Sequence, residues 1–269
     1  MAKYSLKNLS WEEKKTGILF GFFRQLFFLS EKFRTNKFVF SWDSRSSLRR
    51  EIYPKYKANR NKNKTVEEKE EDKIAYAQFN LLKDELLPSL GFKNIFEFEG
   101  YESDDIIAEI VKTNKMEFLI ATSDEDMYQL LSDNVSIYNL SKKCIYTKED
   151  FEKEYGITCD KWALHKAIIG CSTDNVEGIY GVGEKTALHY IKEEKLSVIQ
   201  SQKIATNKNM IKRNLKLVEL PFENTPDVSL DFDESLSFDV FVNICNRYGF
   251  FLFLKTPSLK KWSNYFQLV

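Results

Sequence analysis

Histidine and cysteine are scarce in this chain, and neither is placed to build a structural metal site. Cys144, Cys159, Cys171 and Cys245 are scattered without a CxxC pair, and His165 and His189 are the only imidazoles, which argues against the usual zinc frameworks. The same scatter leaves no disulfide framework and points to a reduced, cytosolic setting. Long apolar runs are absent as well. The longest, Ile18 to Leu29, has 12 residues and includes Gly21, Arg24 and Gln25, where a membrane span needs ~20. Glu12 and Glu13 precede it and no small-residue cleavage site follows, so it reads as a buried helix rather than a signal peptide. Net charge is missing too: 40 basic residues balance 40 acidic ones, and a polyanion could be held only by a local imbalance.

That imbalance exists. Arg45 to Lys64 holds eight basic residues against Glu51 alone, while Glu99 to Asp126 holds nine acids against Lys112 and Lys115. A hydrophobic share of 43% with 14% aromatics is enough for a sizeable core. The pattern predicts a helix over 11–33, a strand over 37–42 ending at Asp43, an exposed basic segment over 44–64, and a helix from Val66 to Leu87 stopped by Pro88. A strand at Ile95 to Phe98, a helix from Asp104 to Val111, a strand at 118–122 and a helical turn from Asp126 to Leu131 follow. Strands alternating with helices imply an α/β fold with a parallel sheet. Beyond Tyr146 the texture is helical: Trp162 to Ile169 leads into a glycine-rich turn at 178–183, and a helix from Lys185 to Glu193 leaves it. Lys195 to Arg213 is polar and gives little signal, while Phe238 to Leu254 adds aromatic core.

Three short segments carry chemistry. GYESDD at 100–105 and TSDED at 122–126 place acids where helices begin, the edge at which an α/β sheet gathers side chains. A single acid there would be a cap, for which Ser123 or Asp124 would serve, or would complement the helix dipole. Glu102, Asp104 and Asp105, then Asp124 and Asp126, joined by Asp43 and Asp174, exceed what capping needs. Like charges held together call for a cation, and hard carboxylate oxygens suit Mg²⁺ or Mn²⁺. The third segment, STDNVEGIYGVGEKTA at 172–187, fits neither Walker A, because Glu184 separates Gly183 from Lys185, nor the dinucleotide fingerprint, because Thr186 stands at the third glycine position. It is either a plain tight turn or a helix-hairpin-helix type loop gripping a DNA backbone; the second fits better, since hydrophobic helices flank Gly181 and Gly183 and Lys185 stands beside them. In the basic segment, Tyr53 and Tyr56 among Arg49, Arg50, Lys57 and Arg60 are what a surface tracking a single strand would use, with a solvated loop as the bland alternative.

FSWD with LRREIYPKYKANR, then EGYESDD, TSDEDMYQLL and STDNVEGIYGVGEKTA, in this order, resemble the 5′ nuclease superfamily: the flap endonucleases of bacteriophages and the 5′ to 3′ exonuclease domain of bacterial DNA polymerase I. The resemblance runs from about Met1 to about Leu254. It implies a single 5′ nuclease domain over 1–269 with a Rossmann-like parallel-sheet core, a helical arch over 44–87 and a C-terminal helical part of the core over 196–269. A helix-three-turn-helix element over 160–195 would hold duplex DNA through K⁺ and backbone amides. By motif, Asp43, Glu102 and Asp104 would belong to a first metal site and Asp105, Asp124, Asp126 and Asp174 to a second, for two Mg²⁺ or Mn²⁺ ions. Lys57 and Arg60 would meet the scissile phosphate, and Arg49, Arg50, Tyr53, Tyr56, Gly181, Gly183, Lys185 and Thr186 would contact DNA. The implied reaction is metal-dependent hydrolysis of DNA at 5′ flaps or 5′ ends in replication or repair, leaving a 5′-phosphate, with RNA–DNA hybrid open as a substrate.

Two departures stand out. Family members begin with a strand ending in Asp-Gly, whose aspartate is a ligand, and Met1 aligns beyond it; the expectation is a missing N-terminal strand and a fragile chain. Cys171 stands where GD-x-x-D-N would place an aspartate. Sulfur suits Mg²⁺ poorly, and a small apolar filler is the commoner role of a free cysteine. The alternatives to an active enzyme are a DNA-structure-binding protein of the same fold with impaired catalysis, and an RNA-processing nuclease. No membrane partner is implied. With no polymerase domain following, the chain reads as a free-standing, phage-like enzyme, in a host cytoplasm if phage-encoded.

Overall fold

The computed structural model describes residues 9–44, 47–62 and 64–267; Met1, where the family resemblance begins, and Arg45, where the basic segment begins, lie outside them. The chain divides into two compact units, Met1–Phe40 with Lys64–Phe96 and Leu230–Val269, and Ser41–Asn63 with Glu97–Ser229.

The first unit is helical and aromatic. It opens with a hairpin of Ser10–Trp11 against Lys14–Lys15, rather than with a helix from residue 11. Glu12 and Glu13 make its turn at positive φ (46° and 64°). The helix proper is Gly17–Phe33, and Thr16 lends it no side-chain cap. The buried Gln78, on the helix Val66–Leu81, does so instead: its Oε1 accepts from Ile18 N at 3.1 Å and Leu19 N at 3.4 Å, satisfying donors that a helix start leaves open. Pro88 does not end the second helix. A π-helical turn over Leu82–Leu86 carries the chain into Leu87–Leu90, with Pro88 in its first turn, where a missing N–H costs little. Phe23, Phe27, Phe241, Phe253 and Phe266 pack on Trp262 with ring centroids 4.5 to 6.4 Å apart, seating the tail helices Phe238–Arg247 and Thr256–Phe266 against Gly17–Phe33.

The second unit carries the main sheet. Phe118–Thr122 pairs in parallel with Val135–Asn139, which pairs antiparallel with Cys144–Tyr146. The α/β reading holds, but parallel pairing within this sheet is confined to that one strand pair among the described residues. The helix Ser103–Thr113 buries Ile106, Ala108, Ile110 and Val111, one face of its apolar period. Strand Phe118–Thr122 hands over to a 3₁₀ turn, Glu125–Leu130, capped by Asp124, whose Oδ1 accepts from Asp126 N at 2.9 Å. Helices Trp162–Ile169 and Lys208–Val218 meet through Ala167, Ile168, Ile211 and Leu217. Buried Asn214 ties them together, donating to Ala167 O (2.9 Å) and Glu177 O (2.8 Å). The stretch from Lys195, nearly silent as sequence, forms the helices Val198–Thr206 and Lys208–Val218. Among the described residues no helix is long and apolar enough to cross a membrane.

Candidate active site

All the residues singled out by sequence lie in the second unit. Gly100 opens the first acidic turn at φ 88°, and a Cβ there would stand 2.8 Å from Leu48 Cγ. Glycine therefore lets this turn lie against Ser44 and Leu48: Gly100 N donates to Ser44 Oγ (2.9 Å) and Leu48 N to Gly100 O (3.0 Å). Asp43 is thereby brought to the start of the helix Ser103–Thr113, where its Oδ1 accepts from Ser103 N at 2.8 Å. Next to it, burial and then the charges of Asp124, Asp43 and Glu102 push the Asp104 carboxyl up to about 7, against an opposing pull from Lys57. A carboxylic acid that keeps its proton near neutrality marks surplus negative charge, which a cation would relieve.

A second group lies close by. Asp126, Cys171 and Asp174 bring one potential ligand atom each to within 4.8 Å of one another. Cys171 sits in the hairpin Gly170–Cys171 with Val176–Glu177; its Sγ is 3.0 Å from Thr173 Oγ1, and burial pushes its thiol above the ordinary value. Tyr56 links the two groups, its hydroxyl 3.0 Å from Glu102 Oε2 and 3.1 Å from Asp174 Oδ2. Burial and the charges of Glu102 and Asp174 hold that phenol well above its ordinary pKa, so it stays a donor. Lys57 Nζ donates to Glu102 Oε2 and Arg60 Nη2 to Asp174 Oδ1, each at 2.7 Å. The Lys57 backbone is left-handed (φ 52°) and its N–H donates to Asp174 O at 2.8 Å. Asn59 Nδ2 to Ser172 O (3.1 Å) and Asn175 Nδ2 to Lys55 O (2.7 Å) complete the seam.

Several expectations are corrected. Asp105 is spent on structure: fully buried, its Oδ2 accepts from Arg49 Nη1 (2.6 Å) and Glu102 N (3.0 Å), and its Oδ1 from Arg49 Nη2 (2.7 Å) and Phe222 N (2.8 Å). Four donors fill its acceptor capacity, leaving no lone pair for a metal. Arg49 is 2% exposed and also donates from Nε to Leu217 O at 2.8 Å, so it is a core cation and no DNA contact. Tyr53 and Tyr56 are buried as well, which removes the aromatic interleaving from the surface and leaves Arg50, Lys55, Arg60 and Lys62 as the exposed basic groups among the described residues of that segment. One residue was missed: Lys166 places Nζ 2.9 Å from Asp126 Oδ1. Its signal was being the one permanently charged residue in the otherwise apolar run Trp162–Ile169. In the glycine loop, Gly181 is left-handed (φ 73°), and Gly183, at the start of the helix Glu184–Ile191, has open space where a Cβ would be. Lys185 is exposed beside it, and Thr186 Oγ1 accepts from Gln200 Nε2 at 3.1 Å.

An α/β unit whose helix-start carboxylates converge with basic side chains has the frame of a phosphodiester hydrolase. Residues 2–156 match the sequence profile of the 5′-3′ exonuclease, N-terminal resolvase-like domain. The chain is 35% identical over 218 residues to the 5′-3′ exonuclease of Bacillus subtilis (strain 168), covering 74% of this chain and 70% of that one. Its structure resembles that of the bacteriophage T5 5′-exonuclease with bound zinc, with a TM-score of 0.65 and 25% identity over 78% of this chain and 83% of the other. It also resembles the bacteriophage T5 flap endonuclease in a complex with DNA and metal ions, with a TM-score of 0.63 and 25% identity over 74% and 79% of the two chains. The chain belongs to the 5′-3′ exonuclease family and is a structure-specific 5′ nuclease.

Proposed function

We propose that this nuclease cleaves DNA at 5′ flaps and at 5′ ends, in replication or repair, with two divalent ions drawn from Mg²⁺ and Mn²⁺. The observation that carries this is the junction made by Tyr56 and Lys57, which joins the carboxylates of Asp43, Glu102 and Asp104, with Asp124 nearby, to those of Asp126 and Asp174. These are hard oxygen donors, and the burial and crowding of like charge that push the Asp104 carboxyl upward support a cation among them, so the residues fit such ions. Bound divalent ions supply activation of water and neutralisation of charge at the reacting phosphate. The chain's own groups do the positioning. Lys57 and Arg60, ion-paired to Glu102 and Asp174, exchange those anions for the scissile phosphate and orient it. Tyr56 keeps Glu102 and Asp174 in register, and Lys166 does the same for Asp126. Gly181, Gly183, Lys185 and Thr186 hold the duplex backbone, assisted by K⁺, within a helix-three-turn-helix element over 160–195. The arch over 44–87 presents Arg50, Lys57 and Arg60.

Single-turnover cleavage of a labelled 5′-flap duplex tests the proposal. Cleavage should require Mg²⁺ or Mn²⁺, stop with EDTA and leave a 5′-phosphate. Lys57→Ala and Arg60→Ala should each slow it by about 10²- to 10³-fold, with much smaller losses in duplex affinity. Absence of cleavage with either ion would refute it, and equal losses of rate and affinity would reassign both residues to general phosphate binding.

A further inference from the structure

Phe118–Thr122 is the outer strand of its three-stranded sheet, paired in parallel with Val135–Asn139 on one side. Phe118 N donates to Asn134 O at 2.8 Å and Thr122 O accepts from Leu140 N at 3.1 Å, so Phe118, Ile120 and Thr122 turn their backbone groups towards that neighbour. Leu119 and Ala121 turn theirs the other way, where no backbone partner meets them among the described residues. The side chains repeat the asymmetry: Ile120 is buried, whereas Leu119 is 38% exposed and Ala121 is exposed too. Apolar strands in parallel pairs are normally covered, and an open edge is normally blunted by a charge, a proline or a bulge. This strand has no charged residue and no proline, and its register is unbroken. An edge with nothing to deter pairing is a template for a further strand.

We infer that this edge docks a second copy of the chain, the two Phe118–Thr122 strands running antiparallel about a two-fold axis. The strand is self-complementary. With Ile120 opposite its own copy, Leu119 of one strand faces Ala121 of the other, so the outward N–H and C=O groups meet as a hydrogen-bonded pair, twice by symmetry. The same register lays the exposed Leu119 side chain beside the small Ala121 and sets Phe118 against Thr122. The flanks match in charge: antiparallel pairing brings the end that carries Lys115 to the end that carries Asp124 and Glu125, all three exposed, while Glu117 comes opposite Ser123 rather than an acid. Strands of five residues bury much less than the ~1,200–2,000 Å² of a stable interface, so the pair forms and parts at micromolar concentrations. Asp124 follows the strand closely and its charge reaches Asp104, so the second copy stands beside the acids and DNA must displace it. Inhibition by dimerisation rests on the proposed nuclease activity; the pairing itself does not.

Sedimentation equilibrium of the whole chain, without metal or DNA, is run across the micromolar range. A reversible monomer–dimer equilibrium is expected. Ala121→Pro removes an outward N–H, hence two hydrogen bonds by symmetry, and should weaken the dimer about tenfold or more. Leu119→Lys puts a charge on the edge and should do the same. Lys115→Glu should weaken it several-fold, and Lys115→Glu combined with Glu125→Lys should restore it. Hydrogen exchange gives a second reading that needs no variant: the amides of Leu119 and Ala121 should exchange readily in dilute protein and become protected as concentration rises. A chain that stays monomeric over the range, association that survives both edge variants, or growth past the dimer into open chains overturns the inference. Protection of those two amides at every concentration also overturns it, since a segment of the same chain would then cover the edge. Flap cleavage with Mn²⁺ is followed in parallel, and specific activity should fall as the enzyme associates. Constant specific activity overturns the inhibition, whereas failure of cleavage with the dimer intact removes only the nuclease reading.

Discussion

Asp104 and Asp105 are neighbours of identical chemistry, and the fold sends them in opposite directions. Asp105 holds a buried guanidinium at 2.6 Å, so Asp105→Asn leaves Arg49 charged in the core with only the longer pairing to Glu102 at 3.8 Å. The expected loss is about 3–5 kcal/mol of stability, read by urea unfolding in EDTA, with a smaller effect on divalent affinity in whatever remains folded. A ligand role for Asp105 would give the reverse pattern. Among the described residues Asp104 has no such guanidinium partner, and it is pushed up to about 7 by burial and its acidic neighbours, from an ordinary value near ~4. Between those values the folded chain keeps a proton that the unfolded chain has released, so metal-free stability should fall as pH rises from about 4 to about 7. A divalent ion displaces that proton, and apparent affinity at this site should climb by up to about tenfold per pH unit until about 7 and then level off. Asp104→Asn should flatten both slopes, measured by thermal melts in EDTA and by calorimetric Mn²⁺ titrations across the pH range. A slope in the variant equal to that of the parent would place the proton elsewhere.

Within the elements, the hairpin that carries Cys171 and the loop after it depend on glycines for different reasons. A Cβ on Gly178 would stand 2.0 Å from Ile169 O and 2.6 Å from Gly170 N, backbone atoms that cannot turn aside. Gly178→Ala should therefore push the hairpin apart, costing about 1–3 kcal/mol or more and weakening divalent binding through the displacement of Asp174. Gly183 faces open space at a φ of −96°. Gly183→Ala should change stability by less than about 1 kcal/mol yet lower duplex affinity, since the added methyl stands where a backbone phosphate would approach. A fluorescence anisotropy titration with blunt duplex, beside thermal melts of both variants, separates the two cases. Duplex affinity unchanged in Gly183→Ala would remove this loop from the DNA surface.

Across the molecule, a formal charge of zero conceals segregation, because Glu99 to Asp126 is strongly acidic and its carboxylates are gathered rather than spread. A ligand that binds only the folded state stabilises it by about 2.7 kcal/mol at a hundredfold excess over its Kd. Mn²⁺ should accordingly raise the melting temperature with the logarithm of its concentration, and EDTA should reverse this. Asp104→Asn combined with Asp174→Asn should abolish most of the shift. If the double variant is stabilised as much as the parent, the acids are not the binding site.

The sequence by itself determined what depends on neighbours along the chain. The periodicity of the helix Trp162–Ile169, the β-rich run Phe118–Thr122 and the clustering of acids at helix starts are local, so they were legible before any fold existed. Tertiary structure decided partnership. Arg49 and Asp105 are 56 positions apart, Tyr56 and Asp174 are 118 apart, and Gln78 caps a helix start 60 residues earlier. Nothing in a run of basic residues says that Arg49 will be buried and Arg50 exposed, nor in two adjacent aspartates that one will be saturated with donors and the other left with a proton to lose. A carboxylate's role is set by what else is within ~4 to 6 Å and by how much water is excluded, and both are properties of the folded chain.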